Sequence, residues 1–252
     1  MRQLLKQFDK ILFKGFLIKI LRKFNTKKKQ QLYNRYTTSI HQLRQYKHLT
    51  YWNNLFNHLL INNVKGDIVE CGVGNGETLS YILFNLTYNQ KFSDKNYIGF
   101  DSFEGFPEPS IHDKGPDTFT ESGILIETKK GQWNHINEKF VLNNLQDLGF
   151  NLEDFEKVKF KKGFYENIFS NEYKNINKIS LLHVDCDLYS STKISLETWF
   201  SKVEKNGIVV FDEYLDSIRR FPGATKAIND FLGEDKKNIK ICPFTKKYYF
   251  IK

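Results

Sequence analysis

The sequence predicts an α/β fold, in which a mostly parallel sheet carries helices on both faces. The chain has 252 residues, enough for one sizeable α/β core. From residue 66 onward, short apolar segments typical of strands alternate with segments of helical periodicity. A glycine-rich turn joins the first of these strands to the helix that follows it. Such alternation is typical of a parallel sheet that is covered on both sides.

The first 30 residues account for the net positive charge of the chain. They contain ten Lys and Arg residues and one Asp, and the whole chain has a net charge of +9. The rest of the chain is therefore neutral, and we expect no nucleic-acid partner. Helical periodicity over residues 2–24 has two interpretations. The helix either packs on the body or on another subunit, or lies as a basic anchor on an acidic membrane surface.

We expect two regions, a basic and mainly helical extension over residues 1–62 and a catalytic domain over residues 63–252. No run of about 18 uncharged apolar residues is present, so a membrane-spanning helix is not expected. The three cysteines lie far apart and form no CxxC pair, which favours reduced thiols. We therefore expect a cytoplasmic protein, with peripheral membrane contact through residues 1–30 left open. We also expect a homo-oligomer, for which the extension offers an interface.

The predicted elements follow from the apolar pattern and from the residues that interrupt it. We expect strands at residues 67–71, 97–100, 158–160, 179–184, 208–211, 239–242 and 248–251. We expect helices at residues 31–62, 77–86, 134–148, 192–203 and 224–232. Residues 102–130 carry several glycines and prolines and are predicted to form a long loop. Loops of this length in compact domains are usually lids or binding segments.

The glycine turn is the strongest local signal for a cofactor. Gly72, Gly74 and Gly76 follow an apolar strand and precede a helix, so a ligand can approach the backbone closely. The dinucleotide pattern G-x-G-x-x-G would place its third glycine at Glu77. Glu70, two residues before the first glycine, is an acceptor for a cationic amino group. S-adenosylmethionine has such a group and NAD does not, so the turn favours S-adenosylmethionine.

The second predicted strand ends at Asp101, where a carboxylate can accept hydrogen bonds from both ribose hydroxyls. Each glycine taken singly is also compatible with an ordinary turn. Glu70, the glycine turn and Asp101 together, each at a strand end, favour a nucleotide-like cofactor.

Two acidic clusters follow later strands of the predicted sheet. Asp185 and Asp187 form the first, and Asp212 and Glu213 form the second. Ligands of open α/β sheets bind at the carboxyl ends of the strands, so we expect these acids beside the cofactor. Carboxylates this close need a compensating cation, and oxygen ligands favour Mg²⁺ or Ca²⁺. The alternative is that the acids are solvated loop residues or helix caps.

Three further observations narrow the chemistry. Asp187 or Ser190 is positioned to cap the helix that is predicted to begin near Thr192. His183 lies within an apolar strand, where a core histidine with satisfied hydrogen bonds is expected rather than a catalytic one. The sequence has no Gly-x-Ser-x-Gly or Walker-type loop, which argues against a hydrolase and a nucleoside triphosphatase.

Several segments, in this order, resemble the macrocin O-methyltransferase (TylF-like) family of class I methyltransferases. They are residues 66–78, 97–107, 162–165, 183–192, 207–214 and 222–228, and the resemblance spans about residues 40–252. Asp-Ser-Phe-Glu-Gly-Phe-Pro and Asp-Cys-Asp-Leu-Tyr are its most specific blocks. The resemblance implies a Rossmann-like, seven-stranded sheet. It also implies a Mg²⁺-dependent O-methylation of a sugar hydroxyl, often in a glycosylated natural product.

The resemblance also implies roles for individual residues. Cofactor contacts are expected from the segment around the glycine turn and from two later strand ends: Glu70, Gly72, Gly74, Gly76, Thr78, Asp101, Ser102, Gly163 and Phe164. The metal would be held by Asp185, Asp212 and Glu213, with Asp187 as a further candidate. Asp185 is the expected general base, and residues 103–122 would form the lid over the substrate.

Two positions depart from the family pattern. Glu213 stands where the family commonly has a second Asp, and Thr225 stands where it often has an arginine. Two alternatives to a sugar O-methyltransferase remain. One is an O-methyltransferase of a non-sugar, catechol-like diol, and the other is a non-catalytic binding module that keeps the fold.

Overall fold

A computed structural model describes residues 27–114, 128–215 and 221–252, with side chains described from residue 42 onward. The helix predicted at residues 2–24 lies outside these ranges. The chain divides into two compact units, residues 1–50 and residues 51–252. Residues 51–62, which the sequence placed in the extension, belong to the second unit. The division into an extension and a catalytic domain stays a prediction, and the contacts described below lie within the second unit.

The described chain alternates between helices and strands from its start to its end. The helices are α1 (Lys27–Ile61), α2 (Glu77–Tyr88), α3 (Glu138–Asp147), α4 (Tyr165–Glu172), α5 (Tyr189–Trp199) and α6 (Pro222–Leu232). The strands are β1 (Asp67–Cys71), β2 (Tyr97–Asp101), β3 (Val158–Lys162), β4 (Ile179–Val184), β5 (Val203–Phe211), β6 (Lys240–Ile241) and β7 (Tyr248–Ile251). None of the described helices is both long and apolar enough to cross a membrane.

The seven strands form one sheet in the order β3-β2-β1-β4-β5-β7-β6. The first five are parallel, and β7 is antiparallel to both β5 and β6. The predicted α/β class and the seven-stranded, mostly parallel sheet are thus confirmed. The strand order reverses between β1 and β4, and in open α/β sheets such a switch point leaves a crevice at the carboxyl ends of the strands.

Two apolar layers cover the sheet. On one face, the second half of α1 packs against the strands through Trp52, Phe56 and Leu59, which are all buried. On the other face, Phe100 of β2 stacks on Trp199 of α5 at a centroid distance of 5.3 Å. Each fully buried side chain of this size contributes about 1.5–3 kcal/mol of transfer free energy. These layers hold the strand ends, and hence the crevice, in place.

Two helices differ from the sequence prediction, each for a tertiary reason. The helix α4 was not predicted, because its eight residues depend on burial of Tyr165 and Phe169, whose rings stack at 4.6 Å. The helix α5 begins at Tyr189 rather than near Thr192. Neither Asp187 nor Ser190 caps it, so this prediction was wrong. The backbone N–H of Tyr189 instead donates to Asp113 Oδ1 at 2.7 Å. A partner from a distant part of the chain cannot be recognised in a local pattern.

Candidate functional site

A cavity of about 280 Å³ lies at the carboxyl ends of β1 to β5. Clefts of this kind, with a few polar groups in apolar walls, are the usual sites for small molecules. Ten residues predicted from the sequence line it: Gly72, Gly74, Asp101, Ser102, Gly163, Phe164, Asp185, Asp187, Asp212 and Glu213. Three predicted residues are not part of its lining, namely Glu70, Gly76 and Thr78.

The glycine turn forms one wall of this cavity. Gly72, Gly74 and Gly76 all have a positive φ, at 94°, 52° and 82°, a region that favours glycine. A Cβ at Gly72 would collide with the carbonyl of Asp185, and a Cβ at Gly76 would lie 2.7 Å from Val141 Cγ1. A Cβ at Gly74 would meet open space. The first and third glycines therefore serve packing, and the second leaves the backbone open to a ligand.

Asp101 braces the glycine turn through its side chain. Its Oδ2 accepts hydrogen bonds from the backbone N–H groups of Val73 and Gly74, at 2.9 and 3.1 Å. Its Oδ1 accepts from the N–H of Phe103 at 2.8 Å. A carboxylate has about four acceptor positions and three are used here, so about one remains for a ribose hydroxyl. The structure thus adds a bracing role to the cofactor contact that was predicted.

Glu70 lies in the sheet beneath the cavity. Its fully buried carboxylate accepts hydrogen bonds from Tyr97 Oη and, at 2.7 Å, from His183 Nδ1. Gly99 of β2, which pairs with Glu70 in the sheet, must lack a Cβ, because one would lie 2.7 Å from Tyr97 Oη. The structure therefore shows Glu70 as the anchor of His183. Its contact with the cofactor stays a prediction.

His183 is more than the satisfied core histidine that the sequence suggested. Burial lowers the pKa of its imidazole, but the carboxylates of Asp212 and Glu70 outweigh burial and raise the pKa to about 10. Its Nε2 lies 3.7 Å from Asp212 Oδ1, too far for a hydrogen bond but close enough for strong attraction. Nε2 has no hydrogen-bond partner among the described residues. His183 is thus a buried cation between two carboxylates, and Trp52 packs edge-on against its ring at 5.3 Å.

Lys247, a residue that sequence analysis missed, forms an ion pair with Asp212 through its Nζ. In the antiparallel register, Phe211 of β5 pairs with Tyr248 of β7. Asp212 follows Phe211 and Lys247 precedes Tyr248, so this pairing brings Asp212 and Lys247 side by side. Burial raises the pKa of the Asp212 carboxyl, but Lys247 and His183 outweigh it and hold that pKa well below its usual range. The only available signal was the position of a lysine directly before the last predicted strand.

Asp185 directly follows β4 and lies near the charges of Asp212, His183 and Lys247. Burial, and then the charge of Asp212, raise the pKa of its carboxyl to about 7, whereas His183 and Lys247 oppose this rise. Its backbone N–H donates to the carbonyl of Cys71 at 2.9 Å, which fixes its position beside the glycine turn. A carboxylate with a pKa near neutrality is suited to accept a proton.

Two overlapping clusters of ligand atoms include Asp185, and only the cluster without His183 can bind a divalent cation while that imidazole is protonated. Ligand atoms of Asp185, Asp187 and Glu213 lie within 4.8 Å of one another, and so do those of His183, Asp185 and Asp212. The all-oxygen set fits a hard ion such as Mg²⁺. Asp185 belongs to both sets, but Asp212 and Glu213, which were predicted as partners, do not share one.

Thr225, one of the two departures from the family pattern, supports the turn that follows Asp212. Its Oγ1 accepts a hydrogen bond from the N–H of Leu215 at 2.9 Å and donates to the carbonyl of Glu213 at 3.3 Å. The hydroxyl therefore positions the backbone of the second acidic cluster.

An aromatic cluster also lines the cavity. Phe106 and Trp133 lie 4.8 Å apart between ring centroids, and Phe221 is 6.1 Å from Phe106. Trp133 has φ 69°, an unfavourable value for a bulky residue, so its neighbours hold it in place. Residues 103–114 of the predicted lid are described, and residues 115–122 lie outside the described ranges.

Comparisons of the chain with known proteins agree on one family. Residues 18–243 match the family described as Macrocin-O-methyltransferase (TylF). The chain is 28% identical over 154 residues to demethyldecarbamoylnovobiocin O-methyltransferase of Streptomyces niveus, a match that covers 61% of this chain and 55% of that protein. It is 25% identical over 180 residues to 8-demethyl-8-(2,3-dimethoxy-alpha-L-rhamnosyl)-tetracenomycin-C 4'-O-methyltransferase of Streptomyces olivaceus, covering 69% of this chain and 61% of that protein. The chain thus spans less than two thirds of either curated relative.

Solved structures show the same fold. The O-methyltransferase NovP superposes with a TM-score of 0.62 at 22% identity, over 82% of this chain and 79% of that chain. The calicheamicin methyltransferase CalS11 superposes with a TM-score of 0.67 at 24% identity, over 94% of this chain and 90% of that chain. Both comparisons confirm a Rossmann-like methyltransferase fold for the second unit's sheet and helices.

Proposed function

The chain belongs to the macrocin O-methyltransferase family, and we propose that it is an S-adenosylmethionine-dependent O-methyltransferase of a sugar or glycosylated small molecule. One observation carries the proposal: the open glycine turn and the half-buried carboxylate of Asp185 line the same cavity. The turn supports a cofactor, and the carboxylate supports removal of a hydroxyl proton. O-methylation needs both at one place.

S-adenosylmethionine, when bound, supplies an electrophilic methyl group. In the proposed site the N–H groups around Gly74 and the carboxylate of Asp101 bind and orient it, and Gly163 and Phe164 border its adenine. Asp185 accepts the proton of the acceptor hydroxyl as the oxygen takes the methyl group. The aromatic side chains of Phe106, Trp133 and Phe221, which line the same cavity, exclude water from the reacting atoms.

A divalent cation, when bound, would lower the pKa of the acceptor hydroxyl and orient its oxygen. The residues that would hold it are Asp185, Asp187 and Glu213, whose ligand atoms form one cluster, and Asp212 beside them. We infer Mg²⁺ from the oxygen donors. Full activity of the protein in excess EDTA would contradict the requirement.

The proposed acceptor class rests on the relatives and on the cavity wall. The name of one curated relative describes 4'-O-methylation of a compound with a rhamnosyl group, and the other relative is named as an O-methyltransferase of demethyldecarbamoylnovobiocin. Phe106, Trp133 and Phe221 offer aromatic faces against which the apolar face of a sugar ring or an attached aglycone can stack. A catechol-like diol would use the same carboxylates, and it is the second candidate because planar rings also stack on these residues.

The test has two stages. Calorimetric titration of the folded protein with S-adenosylmethionine, with and without Mg²⁺, tests the cofactor site. Absence of binding would favour the non-catalytic module. Methyl transfer is then screened across nucleotide-sugars, glycosides and catechols. Turnover confined to catechols would overturn the sugar assignment.

The basic residues 1–30 belong to the proposal as a possible contact with an acidic membrane surface or with a second subunit. Sedimentation of the full chain with anionic vesicles, and light scattering without them, separate the two. If deletion of residues 1–30 leaves vesicle binding unchanged, the membrane contact is excluded. If the same deletion also leaves the molar mass from light scattering unchanged per chain, so that the number of subunits stays the same, the subunit contact is excluded.

A further inference from the structure

Asp212 already has a cation as its partner within the protein. Lys247 Nζ forms an ion pair with Asp212 Oδ1, and His183 Nε2 lies 3.7 Å from the same oxygen. The only other cluster of ligand atoms that joins Asp185 within the described residues uses Asp187 and Glu213 instead. The Asp212 carboxylate that a metal ion would use together with Asp185 is thus already paired with Lys247.

We propose that Lys247 competes with the divalent cation for Asp212, so that Asp212 becomes a metal ligand only when Lys247 Nζ moves away. With Lys247 in place, the ion would be held by the cluster of Asp185, Asp187 and Glu213. This inference rests on the proposed metal site. Lys247 acts through Asp212 and is therefore a positioning residue.

The backbone around Lys247 is held, and its side chain can still move. The N–H of Cys242 donates to the carbonyl of Lys247 at 2.9 Å, and the N–H of Lys247 donates to Thr245 Oγ1 at 3.3 Å. The Lys247 side chain is 26% exposed, so its flexible stem has solvent into which it can turn. Exchange of Lys247 for an ion therefore needs a side-chain rotation and no rearrangement of the β6–β7 turn.

Charge explains the direction of the effect. Two like charges at one carboxylate oxygen repel, so a bound ammonium weakens the binding of a divalent ion there. In the absence of an ion, Lys247 neutralises Asp212 and keeps the crowded carboxylates from repelling one another. The wild-type site, in which Lys247 already neutralises Asp212, therefore binds the ion more weakly than a site that lacks this lysine.

The experiment is a titration with Mn²⁺, followed by the electron paramagnetic resonance signal of the free ion. Lys247→Met and Lys247→Gln remove the charge, and Lys246→Met is the matched control because Lys246 is the exposed neighbour in the same turn. We expect the Kd for Mn²⁺ of both Lys247 variants to be lower than that of wild type by about ten-fold or more. The control should bind like wild type. A thermal melt verifies that each variant folds.

A second measurement follows Lys247 directly. Acylation of lysines, read by mass spectrometry, should become faster at Lys247 when Mn²⁺ saturates the wild-type protein, because the amine is released from Asp212. Lys246 should react at the same rate with and without the ion.

The outcomes separate this inference from the metal proposal. Equal Mn²⁺ affinity in wild type and both folded Lys247 variants overturns the competition and leaves the metal site intact. Binding that is detectable only in the Lys247 variants supports the competition most strongly. If neither wild type nor any variant binds Mn²⁺, the metal site and the competition both fail, whereas S-adenosylmethionine binding still tests the enzyme proposal.

Discussion

The two sides of the cavity are built from different interactions. On the side of β1 and β2, Asp101 holds the glycine turn through three hydrogen bonds from backbone N–H groups. On the side of β4 and β5, Asp212 is held by charge, with His183 and Lys247 around it. Hydrogen bonds to the backbone shape a fixed wall for a cofactor. Charges that balance one another make a wall that responds to protons and, in our proposal, to metal ions.

The largest effect is expected on the charged side. Asp185→Asn removes the proposed base, and general base catalysis contributes about 10²–10⁴-fold, so turnover should fall by at least about 10²-fold. Calorimetry should show S-adenosylmethionine binding within a few-fold of wild type, because the hydrogen-bonded wall is untouched. Asp230→Asn, at an exposed position on α6, is the control. If Asp185→Asn also loses S-adenosylmethionine binding, the charged side and the hydrogen-bonded side of the cavity do not act independently.

The next prediction concerns the stability of the charged side. The folded-state pKa of His183 is about 10, above its ordinary value of 6.5. The folded protein therefore holds an extra proton between these values, and the resulting stabilisation is complete below pH 6.5 and lost as the pH rises through about 10. His183→Asn leaves the buried carboxylate of Glu70 without its cation, whereas Asp212 keeps Lys247, and loss of one partner of a buried pair costs about 3–5 kcal/mol.

Urea unfolding in EDTA measures this difference. The gap in the free energy of unfolding between wild type and His183→Asn should be largest below pH 6.5 and should shrink toward pH 10. A gap of constant size over this range would show that His183 is neutral and acts through packing alone.

On the hydrogen-bonded side, Asp101→Ala removes the partner of three N–H groups. Hydrogen bonds to a charged group contribute about 1.5–3 kcal/mol each, so we expect the Kd for S-adenosylmethionine to rise by about ten-fold or more. Mn²⁺ affinity should stay as in wild type. A matching loss of Mn²⁺ affinity would contradict the separation of the two sides.

The smallest expected effect is on the aromatic wall. Trp133→Ala removes one face of the cluster with Phe106, and such aromatic pairs contribute about 0.5–1.5 kcal/mol beyond their buried area. The KM for the acceptor should rise by about ten-fold or less, with little change in the Kd for S-adenosylmethionine. A change confined to kcat would instead indicate that Trp133 positions the reacting atoms.

Most of the fold could be predicted, because its signals are local. The bounds of β1, β4 and β7 agree with the sequence prediction, since each is a compact apolar segment. The helix α4 was missed because eight residues carry too little periodicity to stand out. The start of α5 was missed because Asp113, its capping partner, comes from a distant loop.

The candidate site divides in the same way. Residue types at strand ends were enough to predict that Gly74, Asp101, Asp185 and Asp212 would meet, because parallel strands end at one edge of the sheet. The partners of those residues could not be predicted. The compensating cation that the sequence assigned to a metal alone is provided in part by His183 and Lys247.

The sequence by itself thus determined the class of fold, the family and the edge of the sheet at which the acids gather. Only the tertiary structure decided that Glu70 anchors His183 and that Lys247 pairs with Asp212. The physical reason is that strand ends follow from local apolar patterns, whereas ion pairs depend on the register between strands that lie far apart in sequence. The antiparallel pairing of β7 with β5 brings a lysine to a carboxylate 35 residues away, and no local pattern contains that register.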